Sequence, residues 1–383
     1  MPAQAARFAF FLFCYYAHAG TFSTNAPLFF AEKGMTVGQI GMLMALVQVM
    51  RIFGPNVWGY VADHSERRVF VLRLTGICAL IAFSGFFFGS TFAHMFAAMV
   101  LLNLFTSAQG PICEALMMSE MRGDLSHYGR IRLWGSVGFI VAVTGSAFIL
   151  ERYGALALPW VAGALLVTVL LAALRLREVP HIPHKGPPPV LMHVLRKREV
   201  QAFFCSTAFM VAAHTALYTF YSLYLELHGH SKTVIGAMWS LGVAAEVLLF
   251  YFQGDLMRRW GAQRMMFASL GIGVVRFAMI GALADSLMWL IVAQVLHAAT
   301  FALHLSTSVT TMQRWFAGPL QARGQALYIS LSFGLGGSLG SLFLTYCWES
   351  MGPASVYYVA SAMVAVSALA AFFSFRFQRV DAA

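Results

Sequence analysis

The segment QVLHAATFALHLSTS (Gln294–Ser308) carries two imidazoles, His297 and His304, seven residues apart in an otherwise apolar run. Seven residues is close to two helical turns, so both rings fall on one face of an unbroken helix. At ~1.5 Å of rise per residue they stand ~10 Å apart along the axis. Zinc–nitrogen bonds are about 2 Å long, so the two rings cannot share one metal ion on such a helix. What remains is hydrogen bonding or proton exchange at two depths, with Thr300 beside the rings and Ser308 one turn beyond His304. The plainer alternative for either ring is a packed histidine whose ring nitrogens are satisfied by its neighbours.

Four further ionisable residues lie deep in apolar runs: Glu114, Glu246, Arg51 and Arg276. A charge at the centre of a bilayer costs roughly 2.5–3.5 kcal/mol on insertion scales, so each needs a partner or a wet cavity. Glu246 is too short to reach an interface, and burial disfavours the ionised form of a carboxyl. It is therefore a candidate to load and release a proton, the alternative being a fixed ion pair with Arg276 or Arg51. Arginine keeps its charge, so Arg51 seeks a carboxylate on the protein or on a bound solute. Asn103, Ser107, Gly110 and Glu114 recur at steps of four, three and four, which puts them on one helical face. His18 and Asn25 accompany Tyr15 and Tyr16 in the first apolar stretch, and Tyr218 and Tyr221 follow His214 at helical spacing. Such a wall stacks a ring and hydrogen-bonds a polar head, although aromatic residues in membrane helices also serve as interface belts.

The elements that must position these groups follow from composition. The chain has 383 residues, 60% hydrophobic and 10% charged, whereas a soluble domain carries about a quarter charged residues. Twelve apolar stretches reach the ~20 residues that a spanning helix needs, the fifth of them beginning near residue 131. They are continuous rather than alternating, which excludes a membrane β-barrel. The expected fold is an all-α membrane protein of twelve helices in two six-helix bundles. With the N-terminus inside, twenty basic residues fall in inner segments, Arg132 among them, and only Lys33, Arg152 and Lys232 fall outside. That bias places both termini in the cytoplasm. The net charge of +10 is then a topology signal and gives no reason to expect nucleic acid as a partner. The first apolar stretch reads as a retained span, with no cleavage site after it. The five cysteines lack metal-ligand spacing, so neither metal nor cofactor is expected.

The chain echoes itself. Residues 1–174 and 199–383 form the two expected lobes, joined by a basic, proline-rich cytoplasmic linker over 175–198. GYVADHSERR (Gly59–Arg68) follows the second stretch, and FQGDLMRRWGAQR (Phe252–Arg264) follows the eighth. HYGRIRLWGSVGF (His127–Phe139) has a counterpart in ARGQALYISLSFG (Ala322–Gly334). Internal repeats of this kind mark two-lobed transporters.

GYVADHSERR resembles the major facilitator superfamily signature, with Gly59, Asp63, Arg67 and Arg68 matching and His64 and Glu66 departing from it. YGRIRLWGSVGF, AEVLLF (Ala245–Phe250), GVVRF (Gly273–Phe277) and LHAATFALH (Leu296–His304) resemble the phenylpropionate permease branch, beside the oligosaccharide and nucleoside proton symporters. The resemblance spans essentially the whole chain. It implies secondary transport by alternating access, proton symport, and import of a small organic solute, an aromatic or other organic carboxylate foremost. Sugars, nucleosides or drug efflux are the alternatives. It further implies a gating latch from Gly59, Asp63, Arg67 and Arg68, echoed by Asp255, Arg258 and Arg259. Lipid, protons and the solute are the expected partners of a monomer in the bacterial inner membrane. On this reading His297, His304, Arg51, His214, Tyr218, His18, Asn25 and Asn103 contact the solute, and Glu246, Glu114 and Arg276 handle the proton. No HExxH pair or Walker-type loop points to an enzyme instead.

Overall fold

The computed structural model describes residues 4–65, 67–121, 128–179, 191–316 and 320–380. Among them every regular element is helical and no strand occurs. Ten of these helices are long and apolar enough to cross a bilayer. Chain contacts divide the protein into two compact units, Met1–His184 with His230–Ser240, and Lys185–Gly229 with Leu241–Ala383. Residues 180–190 of the expected linker lie outside the described residues.

The first unit contains α1 (Ala5–Glu32), α2 (Val37–Ser65), α3 (Arg68–Phe88), α4 (Phe92–Thr106), α5 (Gln109–Met121), α6 (Tyr128–Tyr153) and α7 (Leu158–Arg175). α1 packs chiefly on α6 and α7, while α4 lies against α2 and α3. Lipid tails are as apolar as leucine, so membrane helices associate through close packing and interhelical hydrogen bonds rather than through hydrophobic burial. Glycine supplies the close packing here. A Cβ at Gly138 would run into the backbone carbonyl of Phe13, and one at Gly20 would press on the Phe139 ring at 2.5 Å. The helix pair α4 and α5 is interrupted at Ser107 and Ala108, with Pro111 in the first turn of α5. Proline has no N–H to give and is tolerated there. The face drawn through Asn103, Ser107, Gly110 and Glu114 is therefore split between two helices.

The second unit contains α8 (Leu191–Leu195), α9 (Arg198–Thr215), α10 (Tyr221–Leu227), most of α11 (Lys232–Leu283), α12 (Leu287–Ala298), α13 (His304–Met312), α14 (Gln321–Tyr328), α15 (Gly337–Met351) and α16 (Ser355–Val380). α9 packs on α15 and α16. Hydroxyl pairs tie these helices together: Ser206 to Ser367 at 3.0 Å, Thr207 to Ser332 at 2.7 Å and Thr219 to Ser341 at 3.1 Å. Gly336 and Gly340 complete the seam, because a Cβ at either would lie 2.7–2.8 Å from the carbonyl oxygens of Ala208 and Ala212. Gly336–Gly340 reads GGSLG, the spacing of a hydrolase nucleophile elbow. That motif needs a strand-to-helix turn, whereas here the segment runs straight into α15.

Three π-helical turns interrupt the second unit, at Ala216–Phe220, Ala299–Leu303 and Ile329–Gly336. Each widens the helix by a residue and changes which side chains share a face. The 52-residue α11 is bent at Gly261, where φ is 75° and ψ 156°. A positive φ is accessible to glycine at no steric cost, so the chain reverses there without strain.

Gly340→Leu introduces atoms where backbone already stands, and overpacking of this kind costs about 1–3 kcal/mol. Purified in detergent, the variant should unfold several degrees below the wild type. Gly145→Ala should unfold with the wild type, because nothing lies within 4 Å of its added Cβ.

Candidate functional site

The second unit concentrates its buried ionisable groups around α11 and α12. Glu246 on α11 meets His297 on α12 with Oε1 2.8 Å from Nε2, the side chains 12% and 7% exposed. One proton lies in that contact whichever partner carries it: an ionised Glu246 accepts from Nε2–H, and a neutral Glu246 donates to a bare Nε2. His297 Nδ1 is buried and has no hydrogen-bond partner. Its ring stacks on Phe301 at 5.6 Å and 11°, and Phe301 belongs to the π-helical turn that follows.

Arg276, on the second segment of α11, is fully buried. Its Nε donates to the Ala293 carbonyl at 2.7 Å, Nη1 to Thr300 Oγ1 at 3.2 Å and Nη2 to Gln294 Oε1 at 3.5 Å. Thr300 in turn donates to the carbonyl of His297 at 3.1 Å. The guanidinium thus grips the end of α12 and the start of its π-helical turn on both sides of His297. Gly242 makes room for this. A Cβ on Gly242, one turn before Glu246, would lie 3.1 Å from Gln294 Oε1 and 3.2 Å from His297 Cδ2. One on Gly273 would be tight only against Val364 Cγ1, at 3.0 Å, and in ordinary contact with Thr300 Cγ2 at 3.6 Å.

His214 closes the cluster from α9. Its ring lies 5.9 Å from that of His297, 6.0 Å from Phe301 and 6.5 Å from Tyr218. Nδ1 sits 2.9 Å from the carbonyl of Met210. His304 is buried one π-helical turn beyond His297 and lines a small cavity with His214, Tyr218, Thr300 and Phe301. The one-face expectation for His297 and His304 assumed an unbroken helix. The extra residue of the intervening turn rotates the later positions, so the two rings have different neighbours.

The first unit holds a second charged pair. Arg132 Nε lies 3.1 Å from Glu114 Oε1, each side chain one-third exposed at 33%. Arg132 also donates to Tyr16 Oη at 2.7 Å and sits 4.3 Å over the Tyr16 ring. Arg132 had counted as one of twenty flanking basic residues; it belongs instead inside α6, facing α1 and α5. The signal that points to it is its spacing from the lone acid in span four, not its place in the charge count.

The other expected contacts separate from these clusters. His18 Nδ1 lies 2.9 Å from the Ala162 carbonyl, and its ring stacks on Phe22 and meets Phe83 edge-on. Asn25 donates to the Thr21 carbonyl and to Thr24, and Asn103 to the Met99 carbonyl. His18 thus bonds across to α7, whereas the bonds of Asn25 and Asn103 stay within their own helices. Arg51 is half-buried on α2, one turn before Pro55.

Around the signature motif, the Asp63 side chain and Glu66 lie outside the described residues. Gly59 has open space around it, Arg67 is exposed at the α3 N-cap, and Arg68 is buried. The acid that meets the start of α3 is one the sequence reading missed. Glu178 accepts from the backbone N–H of Arg68 and Val69, both at 2.9 Å, completing a helix N-terminus with a carboxylate. Arg68 Nη1 donates to Ser119 at 3.0 Å. In the second unit Asp255 pairs with Arg258 one turn on, both exposed, and Arg259 is exposed beside them.

Residues 5–359 match the model of the MFS_1 like family. The chain belongs to that family. This major facilitator transporter is 29% identical over 363 residues to the "Probable 3-phenylpropionic acid transporter" of Escherichia coli K12, covering 93% of this chain and 94% of the relative. It is 22% identical to the maltose permease of Geobacillus stearothermophilus over 91% of this chain and 88% of that one. Among solved structures, a variant of the nucleoside transporter NupG superposes with a TM-score of 0.86 at 17% identity, covering 97% of this chain and all of the other. The fold is the two-bundle helical fold of multi-pass membrane transporters, and the family is one of transporters rather than enzymes.

Removing the guanidinium of Arg276 leaves a carbonyl and two side-chain acceptors buried without a donor. Arg276→Ala should lower the unfolding temperature in detergent by several degrees. Arg276→Lys should recover only part of that loss, because one ammonium cannot reproduce a planar fork. Differential scanning fluorimetry of the purified variants checks both outcomes.

Proposed function

We propose that the chain is a proton-coupled symporter that imports a small organic solute, an aromatic or other organic carboxylate, by alternating access. The carrying observation is the contact of Glu246 with His297 at 2.8 Å, nearly closed to solvent, beside the buried guanidinium of Arg276. A carboxyl and an imidazole in contact exchange a proton with little movement, and a fixed cation nearby changes the energy of the ionised state. The half-exposed Glu114–Arg132 pair suits a different task. Protonation of Glu114 frees a guanidinium for a carboxylate brought by the solute, a bidentate match that arginine makes well.

The relative in Escherichia coli, named for 3-phenylpropionic acid, supports the aromatic-acid class. The relatives named for maltose and nucleosides support a second reading, a hydroxyl-rich sugar or nucleoside as solute. Twelve crossings follow if α1, 28 residues long, and both segments of α11 each span the bilayer beside the nine other candidate helices. The basic-residue bias supports cytoplasmic termini for a monomer in the bacterial inner membrane. In this reading Gly59, Asp63, Arg67 and Arg68, with Asp255, Arg258 and Arg259, act as the cytoplasmic gate.

Proteoliposomes separate coupling from recognition. With 3-phenylpropanoate as probe, the wild type should accumulate solute when the outside is made acid. Glu246→Gln should lose accumulation while still exchanging labelled for unlabelled solute across the membrane. Full proton-driven accumulation by Glu246→Gln would remove Glu246 from the coupling role.

A further inference from the structure

Resting on the transporter reading above, we infer that His214, with His304, forms a slot that recognises a hydroxyl group on the transported solute. The slot is the small cavity inside the second unit, walled by Tyr218, Thr300, Phe301 and Tyr328 together with the two histidines. Its volume is about 10 Å³, enough for one oxygen-sized group and too little for a ring.

The tautomer of His214 decides what that group must be. Nδ1 lies 2.9 Å from the Met210 carbonyl, one turn back on the same helix. A carbonyl only accepts, so Nδ1 carries the hydrogen and the neutral ring presents a lone pair at Nε2. The Nδ1 bond holds the ring against its own helix, so Nε2 points away from it. Nε2 is buried and has no partner, and the residue is 3% exposed. His304 lines the same cavity at 4% exposure, and its Nε2 is buried and unpartnered as well.

Two orphaned ring nitrogens on histidines that line an aromatic-walled slot carry a standing desolvation cost until something answers them. A carboxylate brings only lone pairs and is repelled by His214 Nε2. An ammonium brings only donors and a charge that these walls do not neutralise. A hydroxyl donates once and accepts as well, so it can satisfy His214 and a His304 ring protonated at Nε2 together. A site built to hydrogen-bond a hydroxyl discriminates strongly against an analogue that lacks one, because its buried partners are then left unpaired. The solute group placed here is therefore a ring or sugar hydroxyl.

Matched probes test this in the full-length protein in nanodiscs, by isothermal titration. The set is 3-phenylpropanoate, its 3- and 4-hydroxyphenyl analogues, the corresponding methyl ethers, and a panel of hexoses and nucleosides. One of the two phenols should bind about tenfold more tightly than the parent acid, and its methyl ether should lose that advantage. His214→Phe should bring the phenol and the parent to equal affinity. His214→Gln, which restores an acceptor, should recover part of the difference and serves if the Phe variant folds poorly. Equal binding of phenols and parent by the wild type would overturn the slot, as would a preference that survives His214→Phe. So would a water-filled slot that tolerates the ether as well as the phenol. If no aromatic acid binds but a sugar or nucleoside does so in a His214-dependent way, the aromatic-acid reading falls and the slot stands. If no hydroxylated probe binds, the slot falls.

Discussion

The second unit is organised by the need to hold an arginine and a carboxylic acid out of water at once. Neither side chain survives in hydrocarbon without partners, and the protein supplies them from several helices. Arg276 takes a carbonyl, an amide oxygen and a hydroxyl; Glu246 takes His297. Those contacts demand that α11 and α12 approach closely, which Gly242 permits. Elsewhere in the unit, in α9, α15 and the π-helical turns beside them, small residues and hydroxyl pairs likewise bring backbones together. Local composition, helix spacing and the position of the charges thus form one linked constraint, in which a larger side chain at a glycine notch moves a charge as well as a helix.

Much of this architecture is written in composition and repetition. Long apolar runs, the scarcity of charge and the echo of Gly59–Arg68 in Phe252–Arg264 specify a helical membrane protein of two related halves. Of the ionisable groups expected at depth, Glu114, Glu246, Arg51, Arg276, His214, His297 and His304 are buried or half-buried. Their pairing was not legible. Glu246 and His297 are 51 positions apart in the sequence, and nothing in a one-dimensional pattern chooses His297 over Arg51 or Arg276 as the partner. Arg132 escaped for a different reason. At the edge of a span, an arginine that faces lipid headgroups and one that turns inward to an acid look the same in a charge count.

Helix irregularity accounts for the remaining misreadings. Assigning residues to a face assumes a constant rotation per residue, and three π-helical turns and the interruption at Ser107–Ala108 break that assumption. The affected positions are the functional candidates themselves: Tyr218 and Phe301 lie within such turns, and His304 directly follows one. A wide turn leaves a backbone group poorly paired and frees space beside it, which is why such turns recur at functional sites. Here that space includes the cavity bounded by His214, Tyr218, Phe301 and His304. The feature that spoils the periodicity argument is thus part of what makes a cavity there.

The two units also treat charge differently, although they share a packing scheme. In each, glycines let one helix lie directly on another's backbone, Gly138 on Phe13 in the first and Gly340 on Ala212 in the second. The charged pair of the first unit, Glu114 with Arg132, is one-third exposed and leans on a tyrosine face. That of the second, Glu246 with His297, is nearly sealed. Exposed ion pairs are weakened because water and salt compete for both partners, so the first pair is the more open of the two to protonation of Glu114 and to a competing carboxylate. A sealed pair responds instead to the addition or loss of a proton, since no larger ion reaches it. On the proposed reading this asymmetry divides the work of symport: the half-exposed arginine answers the solute, and the buried carboxyl–imidazole contact answers the proton. Duplication would have given both halves the same helices; on the same reading, the difference in exposure lets them respond to different ligands.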